Sequence, residues 1–324
     1  MKSQTKKILS VAIKVSVIVM AFLFIFKKLS DNQNISNFKS LMSSISLIST
    51  SLVMFSVFFL MLLNWFLESL KWKFLVRDIE KISTWKSVES VFCGLTWAVF
   101  TPNRIGEYGG RVLFLSPRKR IMGVVAMSVG SIGQLVVTNV LGSLALLWFF
   151  ITFTELNAIL IFALSILIIL FCVFLLLFYF NIQWLYGLLM KINFLKRFQR
   201  FFIIFSKYKH ADIVRILMYS SSRYLIFTIQ YFLVIHLLVP DIQLFEMMMI
   251  LFIFYFIQSA LPSLDLLDIG VRASVATYFF AFVTNQEIAI MAAIACVWLI
   301  NLIVPAILGS VFVLKLNFFG RSNR

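Results

Sequence analysis

The sequence predicts an all-α polytopic membrane protein with about six full spans and two Pro/Gly-broken re-entrant hairpins, arranged as an inverted repeat. Three observations predict it. Apolar residues make up 62% of the 324 positions and charged residues only 13%, against roughly half and about a quarter in average soluble domains. The excess falls in long runs: residues 121–154 and 159–180 carry no charge at all, and a helix needs about 20 such residues to cross a bilayer. The basic residues that raise the net charge to +16 gather in short segments between apolar runs.

Taken in order, the full spans are expected at about 8–26, 45–67, 121–150, 156–180, 213–238 and 288–314. The first follows Lys6 and Lys7, carries Lys14 and is followed by Lys27 and Lys28 rather than by a small-residue cleavage site. It reads as a retained signal-anchor helix. Two further apolar regions, about 87–116 and 244–284, are interrupted near their middles by Pro and Gly.

Parity then sets the topology. Lys71 to Lys86, Arg118 to Arg120 and Lys191 to Lys209 belong inside by the bias of positive charge toward the cytoplasm. Basic residues flank 87–116 on both sides, so a single crossing there would place one cluster outside. A hairpin that enters and leaves on the inner side avoids this. The region 244–284 is flanked by Pro240-Asp241 and Asn285-Gln286-Glu287, which suits a hairpin from the outside. Both termini are then cytoplasmic, in a cytoplasmic or inner membrane, and the Lys27–Lys39 loop is the one segment that fits poorly. Residues 1–324 form a single membrane domain with repeats at about 1–150 and 156–316. Broken segments at matching places in two inverted halves point to a transporter's binding site, because irregular backbone survives at membrane depth only inside protein or beside a watery cavity.

The two expected tips share a motif. The first runs Thr101-Pro102-Asn103-Arg104-Ile105-Gly106-Glu107-Tyr108-Gly109-Gly110-Arg111. The second runs from Pro262 through Asp265 to Asp268-Ile269-Gly270-Val271-Arg272. Both contain acid-x-Gly-x-Arg shortly after a proline. With 13 acids, 12 Gly and 12 Arg, chance supplies such a triplet roughly 0.02 times per chain, so two are signal. Pro102 and Pro262 lack an N–H and can open a half-helix at the tip. The free N–H groups of that half-helix make a ready anion site, and Gly106, Gly109 and Gly270 permit close packing of a helix or a headgroup. Offsets of 0, +3 and +7 set Arg104, Glu107 and Arg111 on one helical face, and Asp265, Asp268 and Arg272 on another.

Two readings of these charges stand. They are substrate or coupling groups, or they are ion pairs that only lock the hairpins. Charge at mid-membrane costs at least about 2.5–3.5 kcal/mol per residue and usually marks function, which favours the first. Arg223, about ten residues into its span, is too central to reach water easily and is either a site residue or an interhelical bond. Gln230 shares its face.

Other classes are excluded or weak. Cys93, Cys172 and Cys296 are scattered in apolar runs and only two His occur, so neither a metal site nor a disulfide framework is expected, and no cofactor. The basic excess has no aromatic-interleaved domain outside the membrane to bind nucleic acid, although basic loops suit anionic headgroups. A homo-oligomer is compatible with the pattern.

At the tips, Pro102-Asn103-Arg104-Ile105-Gly106-Glu107 with Arg111, and Pro262 with Asp268-Ile269-Gly270-Val271-Arg272, resemble the flippase-like membrane domain of the lysylphosphatidylglycerol synthase family. Leu264 and Leu266 replace that family's usual glycine-rich stretch, and Ala273 replaces a common acid. The resemblance implies movement of a lipid with an anionic phosphate headgroup, aminoacylated or otherwise polar, between leaflets. The chain ends at Arg324, so the synthase activity of the fused relatives is expected to be absent and no catalytic residue is assigned. Arg104, Arg111 and Arg272 would hold a phosphate in forked geometry. Glu107, Asp265 and Asp268 would hold a cationic group or a proton, with transport downhill or coupled to an ion. The rivals are an intramembrane enzyme acting on a lipid-linked phosphate or sugar, with Glu107 or Asp268 as base, and a scaffold for envelope biosynthesis.

Overall fold

A computed structural model describes residues 36, 40, 43, 45–99, 101, 104–261 and 269–315. The expected span at 8–26 and the tip residues Pro102, Pro262, Asp265 and Asp268 lie outside the described residues. Those described are helical, with no strand among them. Five helices or helix pairs are long and apolar enough to cross a membrane: 47–75, 117–153, 158–180, 210–238 and 287–313. The chain is a multi-pass, all-α membrane protein.

Helix α1 (Leu47–Leu75) starts at Ser46, whose Oγ accepts from the Ser49 N–H at 3.2 Å and so satisfies one of the first-turn donors. It runs well past the expected end at residue 67. Helices α2 (Thr84–Val99) and α3 (Ile105–Val112) form the first hairpin, and α4 (Arg120–Phe153) crosses next. Helix α5 (Ala158–Phe180) opens at Asn157, whose Oδ1 accepts from the Ile159 and Leu160 N–H groups, and few of its residues are buried in protein. Short helices α6 (Gln183–Lys191), α7 (Asn193–Lys196), α8 (Gln199–Phe202) and α9 (Ile204–Lys207) lead into α10 (His210–Leu238). Helices α11 (Leu244–Ala260) and α12 (Ile269–Phe280) are the arms of the second broken region. The last crossing is α13 (Glu287–Trp298), a π-helical stretch Leu299–Ile303, and α14 (Val304–Lys315). The wide turn immediately precedes Pro305, whose ring cannot share the backbone ladder of a regular helix.

The first hairpin reverses direction. Gly94 meets Gly110 across it, and Gly106 meets the carbonyl of Trp97. The paired residues step in opposite directions about a point near residue 102, so α3 retraces α2. At the base, Glu80 accepts from the Ser116 N–H at 3.0 Å, so the chain leaves the membrane at the face where it entered. The same face holds Arg77, paired with Asp212 at 2.8 Å, and Tyr208, whose hydroxyl donates to the Leu75 carbonyl at 2.8 Å. The three basic segments thus come together at one end of the molecule.

At the other end, Ile45, Ser49, Pro240, Asp241 and Gln286 line one crevice of about 460 Å3. Phe245 and Phe282, at the bases of α11 and α12, flank Trp148 and Phe153 at ring distances of 5.6 and 5.5 Å. The second region therefore also enters and leaves at one face, opposite the first. Helices α1 and α10, 29 residues each, lie antiparallel, with Gln230 Nε2 donating to the Val57 carbonyl at 2.9 Å. Apolar packing divides into a cluster towards the basic end, including Trp72, Val91 and Ile213, and another towards the far end, including Val57, Ile250 and Phe280.

Of the glycines expected to allow close packing at the first tip, Gly106 does so and Gly109 faces open space. Gly110 is the one a methyl group would drive to 2.6 Å from the Gly94 Cα. Gly110→Ala should therefore destabilise the protein by about 1–3 kcal/mol, whereas Gly109→Ala should be neutral or gain a few tenths from helix propensity. Thermal unfolding of both variants in detergent checks the contrast. Glu80 supplies a second test. Partial burial opposes its charge, but the hydrogen bonds from Ser116 and the nearby Lys86 and Lys119 ammonium groups outweigh that and hold the carboxyl below its usual range. Its stabilising contribution is full above the unfolded carboxylate value of about 4.3 and disappears as pH falls through the lower folded value. Unfolding midpoints of the native chain and Glu80→Gln should differ at pH 6 and converge in acid.

Candidate functional site

Glu68 lies two turns from the inner end of α1 and is buried. Its Oε1 accepts from Arg111 Nη1 at 2.6 Å and its Oε2 from Lys71 Nζ at 2.7 Å and from Arg223 Nη1. Arg111 reaches in the other direction with Nη2 to Glu107 Oε1, and Glu107 Oε2 pairs with Arg104 Nε at 3.1 Å. Arg223 Nε also donates to Asn64 Oδ1 at 3.0 Å. Cation and anion alternate from Lys71 through Glu68, Arg111 and Glu107 to Arg104, with Arg223 as a branch. The result ties α1, α3 and α10 together.

Each member is positioned by its helix. Asn64, Glu68 and Lys71 follow at offsets of 0, +4 and +7 and share one face of α1. Arg104 precedes α3 with φ 56 and ψ 26, a left-handed conformation uncommon for a residue with a side chain. It turns the chain at the tip, and the Gly106 N–H then finds Thr101 Oγ1 at 2.7 Å. Glu107 falls in the first turn of α3, where the helix dipole favours negative charge, and Arg111 in the last, where it favours positive. The Gly94–Gly110 contact brings α3 close enough to α2 for the Arg111 Cγ to lie 2.9 Å from where a Gly94 Cβ would stand. Arg223, 13 residues into α10, sits roughly 20 Å from its inner end.

Beside the network is a cavity of about 90 Å3, room for several waters. Arg104 from the first hairpin and Arg272 from α12 both line it, with Trp65, Tyr231, Trp298 and Asn301. The guanidinium carbons of Arg223 and Arg104 lie 5.2 and 6.0 Å from the centre of a Trp65 ring, within cation–π range. Among the described residues, the buried Nε1 of Trp65 and Oδ1 of Asn301 have no hydrogen-bond partner. Such atoms carry a desolvation cost of about 1–3 kcal/mol unless a water or a ligand meets them. Asn301 belongs to the π-helical stretch, so the wide turn before Pro305 also lines the cavity.

The expected site residues thus divide. Arg104, Glu107, Arg111 and Arg223 join one network, and Arg104 and Arg272 face one cavity. Arg111 does not line that cavity. It is fully buried between two carboxylates. Arg223 makes the interhelical bonds that were one of its two readings, and Gly270 is buried within α12. Asp265 and Asp268 lie outside the described residues.

Asn64, Trp65, Glu68 and Lys71 were not singled out. Lys71, expected in an inner loop, is instead buried within α1, where Glu68 pairs with it and the helix continues. The 0, +4, +7 polar stripe at the end of an apolar run was the available signal. Among the described residues, no group of three His, Cys, Asp or Glu could ligate a metal.

Compared with protein-family models, curated proteins and solved structures, the chain matches none.

Glu68→Gln leaves Arg111, Arg223 and Lys71 to share a neutral amide, and breaking a buried pair in this way costs about 3–5 kcal/mol. The double variant Glu68→Gln/Arg223→Gln should lose less than the sum of the two single changes, since the partners are coupled. A double-mutant cycle on thermal or denaturant unfolding measures this.

Proposed function

We propose that the chain is a lipid transporter of the flippase type, moving a lipid with a phosphate-bearing headgroup between leaflets. One observation carries the reading. Arginines from two oppositely oriented hairpins, Arg104 and Arg272, line one small, partly open cavity, beside an indole N–H and an amide oxygen that have no partner among the described residues.

The chemistry supports it step by step. Arg presents a planar fork of N–H donors suited to phosphate oxygens, and in a low-dielectric surrounding each charge-assisted bond is stronger than in water. The Trp65 and Trp298 N–H groups add donors, while Asn301 Oδ1 can accept from an ammonium or a hydroxyl. A cavity of about 90 Å3 takes a headgroup fragment and not a whole lipid, so the acyl chains would remain in the bilayer. Opposite hairpins opening in turn would expose the cavity to one face and then the other. The resemblance of both tip motifs to the lysylphosphatidylglycerol synthase membrane domain favours the same class of cargo, with or without an aminoacyl group. The basic end would face the cytoplasm of a bacterial-type cytoplasmic membrane by the positive-inside tendency.

The reading assigns Arg104 and Arg272 to the headgroup, and Arg111 and Glu68 to the scaffold that holds the first tip. Transfer of a fluorescent phosphatidylglycerol across proteoliposome leaflets should fall at least about tenfold in Arg104→Gln and in Arg272→Gln, the loss of one charge-assisted bond or more, while both proteins keep their unfolding temperature within a few degrees. Native transfer rates in both variants would dismiss the mechanism.

A further inference from the structure

Between α5 and α10 the chain makes an excursion that none of the foregoing uses. It leaves at Gln183 and returns at Tyr208, where Gln183 Nε2 donates to the Tyr208 carbonyl at 3.2 Å. Inside this closed loop, α6 to α9 are short pieces rather than one rod, braced by Gln199 Nε2 donating to the Tyr186 hydroxyl at 2.8 Å. One side is anchored: Ile182, Phe201, Ile204, Phe205 and Tyr208 are buried in the apolar cluster of the basic end. The Tyr208–Leu75 and Arg77–Asp212 bonds fix it to the ends of α1 and α10.

The other side is chemically distinctive. Trp184 is 59% exposed and Phe194 73%, and Leu188 and Ile192 are about half exposed. Interleaved with them stand Lys191, Lys196, Arg197 and Arg200, also exposed, and then Lys207 and Lys209. No acidic residue occurs between Glu155 and Asp212. At the return, Lys207 and Lys209 border an open crevice of about 640 Å3 with Arg77, Asp78 and Asp212, where Arg77 is already held by Asp212.

Large apolar side chains exposed together on a soluble face are unusual. Here they lie at the level where α1, α5 and α10 meet the basic end, which is where a bilayer's headgroup layer begins. Trp suits that layer and Phe the acyl boundary beneath it, and cations interleaved with them are drawn to anionic lipid, each by an amount that falls off within a Debye length. A soluble acidic partner would satisfy the cations and leave Trp184 and Phe194 in water. A neutral bilayer would take the aromatics and leave Lys191, Lys196, Arg197 and Arg200 without anionic lipid beside them.

We infer that the excursion from Gln183 to Tyr208 is an in-plane binding surface for anionic phospholipid headgroups, with Lys191, Lys196, Arg197 and Arg200 holding phosphate and Trp184 and Phe194 seated among the acyl chains beneath. This surface is separate from the cavity between the hairpins and stands whether or not that cavity carries lipid.

The test uses the full chain reconstituted in zwitterionic bilayers doped with brominated phosphatidylglycerol or brominated phosphatidylcholine. The signal is the quenching of Trp184, taken as the difference between the native chain and Trp184→Phe. Half-maximal quenching is expected at about fivefold less phosphatidylglycerol than phosphatidylcholine. That preference should shrink in 0.5 M salt and vanish in K191Q/K196Q/R197Q/R200Q. The milder pair K196Q/R197Q, both exposed, should halve it without altering the unfolding temperature. Equal quenching by the two lipids, a preference that survives in both variants, or a Trp184 quenched by neither lipid would each overturn the inference. A Trp184 shielded by soluble heparin but untouched by phosphatidylglycerol would overturn it in favour of a soluble acidic partner.

Discussion

One carboxylate organises the membrane interior of this protein. Glu68 receives Lys71, Arg111 and Arg223, and those three cations come from α1, the first hairpin and α10. An isolated ammonium or guanidinium at this depth would be costly. Each is made less costly by pairing with the same carboxylate, and Glu107 takes the second Nη of Arg111. The dependence runs both ways. The arms of the hairpin must lie close for Arg111 to reach Glu68, which is what the side-chain-free contact of Gly94 with Gly110 permits. The antiparallel packing of α1 and α10 must in turn keep register for Arg223 to meet both Asn64 and Glu68.

Much of the architecture was legible because it rests on rules of exclusion. Basic segments cannot be scattered across both faces, and an apolar stretch broken by Pro and Gly cannot span as a lipid-facing helix. From those two constraints the direction of both broken regions follows, and the bases of the hairpins, Glu80 with Ser116 at one end and Phe245 with Phe282 at the other, stand at opposite faces. Span ends were less legible. A hydropathy reading stops at Glu68, because sequence alone does not reveal that Arg111, 43 residues away, and Arg223, 155 away, neutralise it. For the same reason the α1 half of the charged cluster went unmarked while its α3 half did not. The left-handed backbone at Arg104 has no signature in an Arg side chain. The π-helical stretch before Pro305 did have one, since a proline deep in a span must displace a turn of the ladder.

The two hairpins, alike in motif, are held by different physics. The first is fixed by buried ion pairs, by the Gly94–Gly110 contact and by the Glu80 clasp at its base. The second, among the described residues, is held at its base by ring-on-ring contacts: Trp148 with Phe245, and Phe149 and Phe153 with Phe282. Edge-to-face aromatic contacts contribute about 0.5–1.5 kcal/mol each beyond their area and have neighbouring geometries of similar energy. Breaking one buried ion pair costs several times that.

That asymmetry bears on how a nearly symmetric repeat could alternate. Arg104 belongs to the fixed hairpin and Arg272 to the one seated on aromatic rings, yet both border the same cavity. A phosphate between them would be held by a guanidinium that stays and one that can depart. Asn301 and Trp298, in and beside the π-helical stretch, lie on the same wall, where the backbone ladder is already displaced. On the proposed reading, the network around Glu68 acts as the fixed jaw, and what distinguishes the two exposed states is the position of α12 relative to it. The identical acid-x-Gly-x-Arg motif then does different work in each half. In the first, Glu107 and Arg111 are joined to the scaffold through Glu68, while in the second Arg272 lines the cavity.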